Sequence, residues 1–205
     1  MARDMTKGRI LPQMTAFAIP LILGNLFQIL YNATDSIIVG KFVGDDALAA
    51  VGTAGPIMNM AILFISGMCM GAGILMSTLY GAKDMKNLEK QISTTLIGGL
   101  VFSLLIAFLM IVFAVPILRL INSPEEIIGS AAIYLRVVFL GLIFTFVYNF
   151  LANTLRALGD SRTPLYFLVI SAFLNVAGDL LFVVTLKLGV MGSAVATVLS
   201  EALCC

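Results

Sequence analysis

This sequence contains no histidine, and only 11% of its residues are charged. Without histidine the protein lacks the commonest general base and the commonest metal ligand. Its three cysteines lie in apolar segments and show neither a disulfide framework nor the spacing of zinc ligands. We therefore expect no enzymatic activity, no organic cofactor and no resident metal.

The formal net charge at pH 7 is also small, at only +1. The chain therefore has no strong overall electrostatic field that would attract nucleic acid or an acidic partner. A soluble domain has about 25% charged residues, whereas 60% of the residues here are hydrophobic. A soluble fold could not bury this much apolar surface, so the composition predicts an integral membrane protein.

Long apolar segments recur along the chain, and a membrane-spanning helix needs about 20 predominantly apolar residues. Four segments contain no charged residue, and two more are interrupted by a single acid. The sequence therefore predicts an all-α protein with six transmembrane helices. Their expected ranges are about 15–39, 47–80, 92–115, 125–155, 163–186 and 189–205.

Basic residues are distributed unevenly between the two ends of these helices. With a cytosolic N-terminus, eight of them lie inside, which is the side that lysine and arginine favour. These eight are Arg3, Lys7, Arg9, Lys83, Lys86, Lys90, Arg156 and Arg162. The four outside are Lys41, Arg119, Arg136 and Lys187. We expect a multi-pass protein of the cytoplasmic (inner) membrane with a cytosolic N-terminus.

Two aspartates, Asp35 and Asp179, interrupt apolar helices. A charged carboxylate at the centre of a bilayer helix costs about 2.5 to 3.5 kcal/mol, so such residues usually face a protein interior or a water-filled path. Asp35, Asp179 and Thr197 lie at similar distances from the outer ends of their helices and could share one layer. Together with the Asn175 amide they could bind a proton or a small hard cation. Glu201, one turn deeper than Thr197, could extend this site inward.

Other polar residues recur every three or four positions, and each set therefore lies on one helix face. Single Ser, Thr or Asn residues in membrane helices usually form interhelical hydrogen bonds, and we interpret Asn25, Thr145, Ser171 and Ser193 in that way. Arg156, Asp160 and Arg162 are interpreted as loop and topology residues. The four polar faces are Asn25, Gln28, Asn32 and Asp35; Thr145, Asn149 and Asn153; Ser171, Asn175 and Asp179; and Ser193, Thr197 and Glu201.

Four segments, in the same order, resemble the multidrug and toxic compound extrusion (MATE) transporters, in particular their prokaryotic, DNA-damage-inducible-F-like branch. They are IPLILGNLFQILYNATDSIIVGKFVGDDALAAVG, YGAKD, RALGDSRTP and NVAGDLLF. The resemblance implies a protein of twelve helices in two six-helix lobes, of which residues 1–205 correspond to the N-terminal lobe only. The sixth predicted helix is still apolar at Cys205, so we expect a fragment whose partner is the missing C-terminal lobe or a second copy.

The resemblance also implies roles for individual residues. Asp35, Asn175 and Asp179 match the cation or proton site of that branch, and Thr197 matches its sixth-helix hydroxyl. Tyr31 and Asn153 match residues that line the substrate cavity. Gln28, Asn32 and Asn149, on the same polar faces, are predicted to line it too.

The expected function is therefore export of organic cations or drugs in exchange for H⁺ or Na⁺, in contact with membrane lipids and without nucleic acid. A flippase for lipid-linked precursors or polysaccharides is the main alternative, although its cavity should hold pyrophosphate with basic residues. A channel subunit should show an arginine repeat or a selectivity filter, and neither is present in the sequence. A membrane scaffold without transport is the remaining alternative.

Overall fold

The computed structural model describes residues 10–205, and this part of the chain folds into helices joined by short turns, with no strand among the described residues. A six-residue π-helical segment, Leu180–Thr185, directly continues α6. The α-helices are α1 (Ile10–Phe42), α2 (Asp45–Gly81), α3 (Met85–Leu120), α4 (Glu125–Leu140), α5 (Leu142–Ala157), α6 (Arg162–Asp179) and α7 (Val190–Leu203).

Membrane-spanning length is reached by four described helices, namely α1, α2, α3 and α6 with its π-helical continuation. The α4–α5 pair adds a fifth span if it is counted as one helix bent by 47°. With 14 residues, α7 is an apolar helix of about 21 Å, shorter than the roughly 30 Å hydrocarbon core. The all-α membrane fold agrees with the prediction, and the predicted count of six helices is approximate.

The third predicted helix was placed at 92–115, but α3 begins at Met85 and continues through Pro116 to Leu120. Its start is set by Asp84, whose side chain accepts a hydrogen bond from the backbone N–H of Asn87 at 3.2 Å. Proline removes one backbone hydrogen bond without ending the helix, which membrane helices tolerate better than soluble ones.

The fourth predicted helix, 125–155, is two helices that meet at Gly141. A Cβ atom at Gly141 would lie 2.4 Å from Cγ2 of Val198 on α7. Glycine therefore lets α7 approach the break closely. The sequence offered no charge or proline at this position, so the bend was not predicted.

The remaining predicted ranges differ from the structure at their ends and in one segment. The predicted fifth helix, 163–186, contains the change from α-helix to π-helix after Asp179. The ranges 15–39, 47–80 and 189–205 become Ile10–Phe42, Asp45–Gly81 and Val190–Leu203. Arg3, Lys7 and Arg9, which entered the expected charge distribution, lie outside the described residues.

The apolar core lies between α2, α3, α4 and α5, where Ile65, Leu118, Phe139 and Phe146 are fully buried. Helix α1 packs mainly on α6, while α7 packs on both α6 and α4. Large apolar side chains cover much of the outer surface, as expected where lipid replaces water. One half of the bundle, formed by α2 to α5, therefore contains the apolar core, and the other half is formed by α1, α6 and α7.

Candidate cation site and polar cavity

The carboxyl groups of Asp35 and Asp179 face each other within hydrogen-bonding range between α1 and α6. Oδ1 of Asp35 accepts a hydrogen bond from Oγ of Ser193 on α7 at 2.6 Å. Asp179 is fully buried, and neither of its carboxyl oxygens receives a hydrogen bond from a donor group in the described part of the chain. Two carboxyl groups so close together are stable when they share a proton or have a positive charge between them.

Asn175 and Thr197 lie beside this pair of acids. Nδ2 of Asn175 donates to Oγ1 of Thr197 at 3.2 Å, and the Thr197 hydroxyl donates to the Ser193 carbonyl oxygen at 3.1 Å. Oδ1 of Asn175 is buried without a partner among the described residues. Three buried acceptor oxygens, two from Asp179 and one from Asn175, are thus left unpaired.

Buried acceptors without donors are rare in folded proteins, and a bound ion or an ordered water is one explanation for them. Carboxylate, amide and hydroxyl oxygens are the ligands that hard cations prefer. Over residues 10–205 no group of three or more His, Cys, Asp or Glu side chains forms a metal cluster. A cation here would therefore depend on two carboxylates and on neutral oxygens.

Two glycines allow α6 and α7 to place these residues so close together. A Cβ atom at Gly178 would lie 2.9 Å from the Ala196 Cβ, and one at Gly192 would lie 3.0 Å from the Phe182 backbone. The π-helical turn begins immediately after Asp179, and the N–H of Leu186 donates to the carbonyl of Leu181 at 2.9 Å. π-Helical turns often occur at functional sites.

A second polar cluster connects α2, α5 and α7. Oγ1 of Thr145 donates to Oε2 of Glu201 at 2.5 Å. Nδ2 of Asn149 donates to the Thr145 carbonyl at 2.8 Å, and Oγ of Ser66 donates to Oδ1 of Asn149 at 3.3 Å. Nδ2 of Asn153 continues the line by donating to the Asn149 carbonyl at 2.8 Å. Polar side chains therefore extend along α5 toward the opposite end of the bundle from Asp35.

The predicted cavity residues are not all in one place. Tyr31 is partly buried, lies within hydrogen-bonding range of Gln28 and is close to Glu201. Gln28 and Asn32 are exposed in this chain. Asn153 lines a separate cavity of about 630 Å³.

The four predicted coupling residues, Asp35, Asn175, Asp179 and Thr197, do come together, although their role stays a prediction. The sequence interpretation of Ser193 as an interhelical hydrogen bond agrees with the structure, but it did not identify Asp35 as the partner. The position of Ser193 four residues before Thr197 on the same helix face was the available signal.

Arg156 was also missed. It was interpreted as a topology residue, but it lines the 630 Å³ cavity, and its Nε is buried without a partner in the described part of the chain.

Residues 20–181 match the family described as MatE. The chain belongs to the MatE (MATE) family. This match extends over most of the described helices, from α1 into the π-helical segment. The fold and the order of the motifs agree with it, so the chain is a membrane protein of a transporter family.

Two relatives are described as a multidrug resistance protein and a multidrug export protein. The chain is 35% identical over 202 residues to the probable multidrug resistance protein YpnP of Bacillus subtilis, covering 98% of this chain and 45% of the relative. It is 26% identical over 196 residues to the multidrug export protein MepA of Staphylococcus saprophyticus, covering 95% and 43%. The chain therefore spans less than half the length of these relatives.

Solved structures agree in fold. One of them, described as the outward-facing conformation of a multidrug resistance MATE family transporter of the MOP superfamily, matches with a TM-score of 0.88 and 29% identity. The match covers 94% of this chain and 42% of that chain. The helical arrangement described above is thus that of one half of a MATE transporter.

Proposed function

We propose that this chain forms the ion-coupling N-terminal lobe of an exporter that exchanges organic cations or drugs for H⁺ or Na⁺. The observation that carries the proposal is the contact between the carboxyl groups of Asp35 and Asp179, with no donor for either Asp179 oxygen within residues 10–205. The relatives named above are described as multidrug proteins, which supports an organic substrate.

The physical argument concerns charge. Two carboxylates in contact in a poorly hydrated interior repel each other and are stable together only with a positive charge or a shared proton between them. A proton can be shared directly by Asp35 and Asp179. Sodium can be held by the same oxygens together with Oδ1 of Asn175, and this is why both ions remain in the proposal.

Ion binding can then be coupled to helix packing, because the site joins three helices. Asp35 lies on α1, Asp179 on α6, and Ser193 on α7. Neutralising the acids favours close approach of these helices, whereas ionised acids favour water and a cationic substrate in the lobe. We propose that this difference releases the substrate when the ion binds.

The flippase alternative is less well supported at this site. A pyrophosphate group needs basic partners, but the residues that converge in the centre of the lobe include the acids Asp35, Asp179 and Glu201. The one basic residue with a buried unpartnered nitrogen in the described part of the chain, Arg156, lies near the other end of the bundle.

A binding experiment on the 205-residue chain in lipid nanodiscs tests the proposal. Fluorescence of the organic cation ethidium is titrated at pH 6 and pH 8, each with and without Na⁺. We expect binding to weaken when H⁺ or Na⁺ is raised, since ion and substrate compete for the same negative charge. In Asp35→Asn and Asp179→Asn this dependence should disappear.

Asp46→Asn is the matched control, because Asp46 is an exposed aspartate at the same end of the bundle. It should bind like the wild type. If the wild type shows no dependence on either ion, or if both site variants keep the full dependence, the proposed coupling is wrong. Ethidium export from cells is then measured with this chain fused to the second half of the Bacillus subtilis relative.

A further inference from the structure

A cavity among the described residues lies at the end of the bundle opposite the acidic pair. Its volume is about 630 Å³, and it is lined by residues near the start of α1 and α3 and near the end of α2 and α5. Asp35, in contrast, lies near the end of α1. The cavity is therefore at one surface of the membrane bundle, at the level where helices end and lipid headgroups begin.

The charges that line this cavity have one sign. Lys83 and Arg156 are its basic residues, and no acidic side chain is among the described residues that line it. Nε of Arg156 is buried and has no hydrogen-bond partner within the described chain. A buried guanidinium nitrogen without an acceptor is costly unless an anion pairs with it.

The aspartates that flank these cations are engaged elsewhere as helix caps. Asp84 accepts from the backbone N–H of Asn87 at 3.2 Å and from its side-chain Nδ2 at 2.6 Å. Asp160 accepts from the backbone N–H groups of Arg162 and Thr163, each at 3.1 Å. Neither aspartate is among the residues that line the cavity, so its described lining carries positive charge only.

The rest of the lining is largely apolar. Phe17, Met70, Ile74 and Leu158 contribute apolar surface next to the two cations. A cavity with basic groups at one side and an apolar wall fits an amphiphile with an anionic head. Basic pockets between membrane helices on the cytoplasmic side are known to bind anionic lipid headgroups.

We propose that this cavity is a binding site for an anionic phospholipid, whose phosphate pairs with Arg156 and Lys83 while an acyl chain lies along the apolar wall. Guanidinium is suited to this role because it offers several donors that match the geometry of phosphate oxygens. The site is separate from the proposed ion-coupling site and does not depend on export activity.

Native mass spectrometry of the detergent-purified 205-residue chain tests this site. Dioleoyl phosphatidylglycerol and dioleoyl phosphatidylcholine are titrated in parallel. We expect the wild type to bind phosphatidylglycerol at least about tenfold more tightly, since each cation near a lipid surface contributes about fivefold and two are present. Arg156→Gln should remove most of this preference, and Arg156→Lys should keep part of it.

The backbone supplies a matched pair of lysines for the control. Lys83 and Lys187 both have positive φ, 59° and 52°, and they lie at opposite ends of the bundle. Asparagine tolerates this conformation, so Lys83→Asn and Lys187→Asn remove a charge without adding backbone strain. Lys83→Asn should weaken phosphatidylglycerol binding about fivefold, and Lys187→Asn should leave it unchanged.

Three results would overturn the proposal. The first is equal binding of the two lipids by the wild type. The second is equal loss in Lys83→Asn and Lys187→Asn, which would indicate nonspecific surface charge. The third is displacement of phosphatidylglycerol by millimolar inorganic phosphate, since that would mean a free-anion site without a role for the acyl chain. Ethidium binding in the Arg156→Gln variant shows separately whether the ion-coupling site remains intact.

Discussion

The two ends of this helical bundle bury polar atoms of opposite character. At one end, Asp179 and Asn175 leave acceptor oxygens unpaired within the described chain, and at the other Arg156 leaves a donor nitrogen unpaired. The packing differs in the same way. Glycines bring α6 and α7 into close contact at the acidic end, whereas the basic end surrounds a cavity of about 630 Å³. Tight packing suits a proton or small ion, and an open cavity suits a larger amphiphile.

The largest expected effect separates the two ends by substitution. Asp179→Asn should abolish the H⁺ or Na⁺ dependence of ethidium binding, because it removes one carboxylate from the pair, and should leave phosphatidylglycerol binding unchanged. Arg156→Gln should leave the ion dependence of ethidium binding unchanged and weaken phosphatidylglycerol binding by about fivefold. Both ligands are measured on the same preparations. A parallel loss of both ligands in either variant would mean that the ends are coupled or that the variant is misfolded.

Ser193→Ala sharpens the description of the acidic end. It removes the hydrogen bond to Oδ1 of Asp35, and hydrogen bonds to charged groups contribute about 1.5 to 3 kcal/mol. The ion midpoint of ethidium competition should therefore shift by about tenfold or more. Ser200→Ala is the control. The Ser200 hydroxyl also donates a hydrogen bond, at 2.8 Å, but its acceptor is the Thr197 backbone carbonyl on the same helix and not an acid. If the ion midpoint shifts equally in Ser193→Ala and Ser200→Ala, Ser193 does not contribute to the ion site.

Glycine substitutions test the packing difference directly. Gly192→Ala places a Cβ atom 3.0 Å from the Phe182 backbone, so the π-helical segment and α7 must separate slightly, at a cost of about 1 to 3 kcal/mol. Gly73→Ala, beside the cavity, meets Asn153 at an ordinary 3.6 Å and should stabilise the chain by about 0.4 to 1 kcal/mol. Thermal unfolding in detergent compares the two variants. Equal destabilisation would show that the ends are packed alike.

The smallest expected effect concerns Asp160, in the turn between α5 and α6. Partial burial raises the pKa of its carboxyl group, but hydrogen bonds from Thr163 and from the Arg162 N–H outweigh burial, so the pKa is lowered overall. A lowered pKa in the folded state adds stability above the unfolded pKa, and this stability is lost as pH falls through the folded value.

Asp160→Ala should therefore lower the free energy of unfolding by about 1 kcal/mol at neutral pH, as the loss of other helix caps does. The decrease should be smaller in acid. Melting temperatures at pH 7 and pH 3 measure this difference. A single charge near a lipid surface contributes about fivefold, so phosphatidylglycerol binding at neutral pH should change by less than that. Markedly tighter lipid binding in the variant would instead mean that Asp160 partly neutralises Arg156.

Residue patterns predicted the polar helix faces, but in the structure some residues of these faces are buried together and others are exposed. The four-residue spacing of Asn175 and Asp179, together with the depth of Asp35, indicated one layer, and the structure places these residues together. Gln28 and Asn32 share the face pattern of Asp35 but are exposed. Periodicity identifies a common face of a helix, whereas only the neighbouring helices determine which part of that face is covered.

The sequence by itself determined the membrane class and most helices, because scarce charge and long apolar segments leave few other folds, and it identified the acids that need an interior. The tertiary structure decided the break at Gly141, the π-helical turn after Asp179, the contact of Ser193 with Asp35 and the cavity that Arg156 lines. These features depend on how closely one helix approaches another. That distance is set by side chains far apart in sequence, such as Gly141 and Val198, and no local pattern records it.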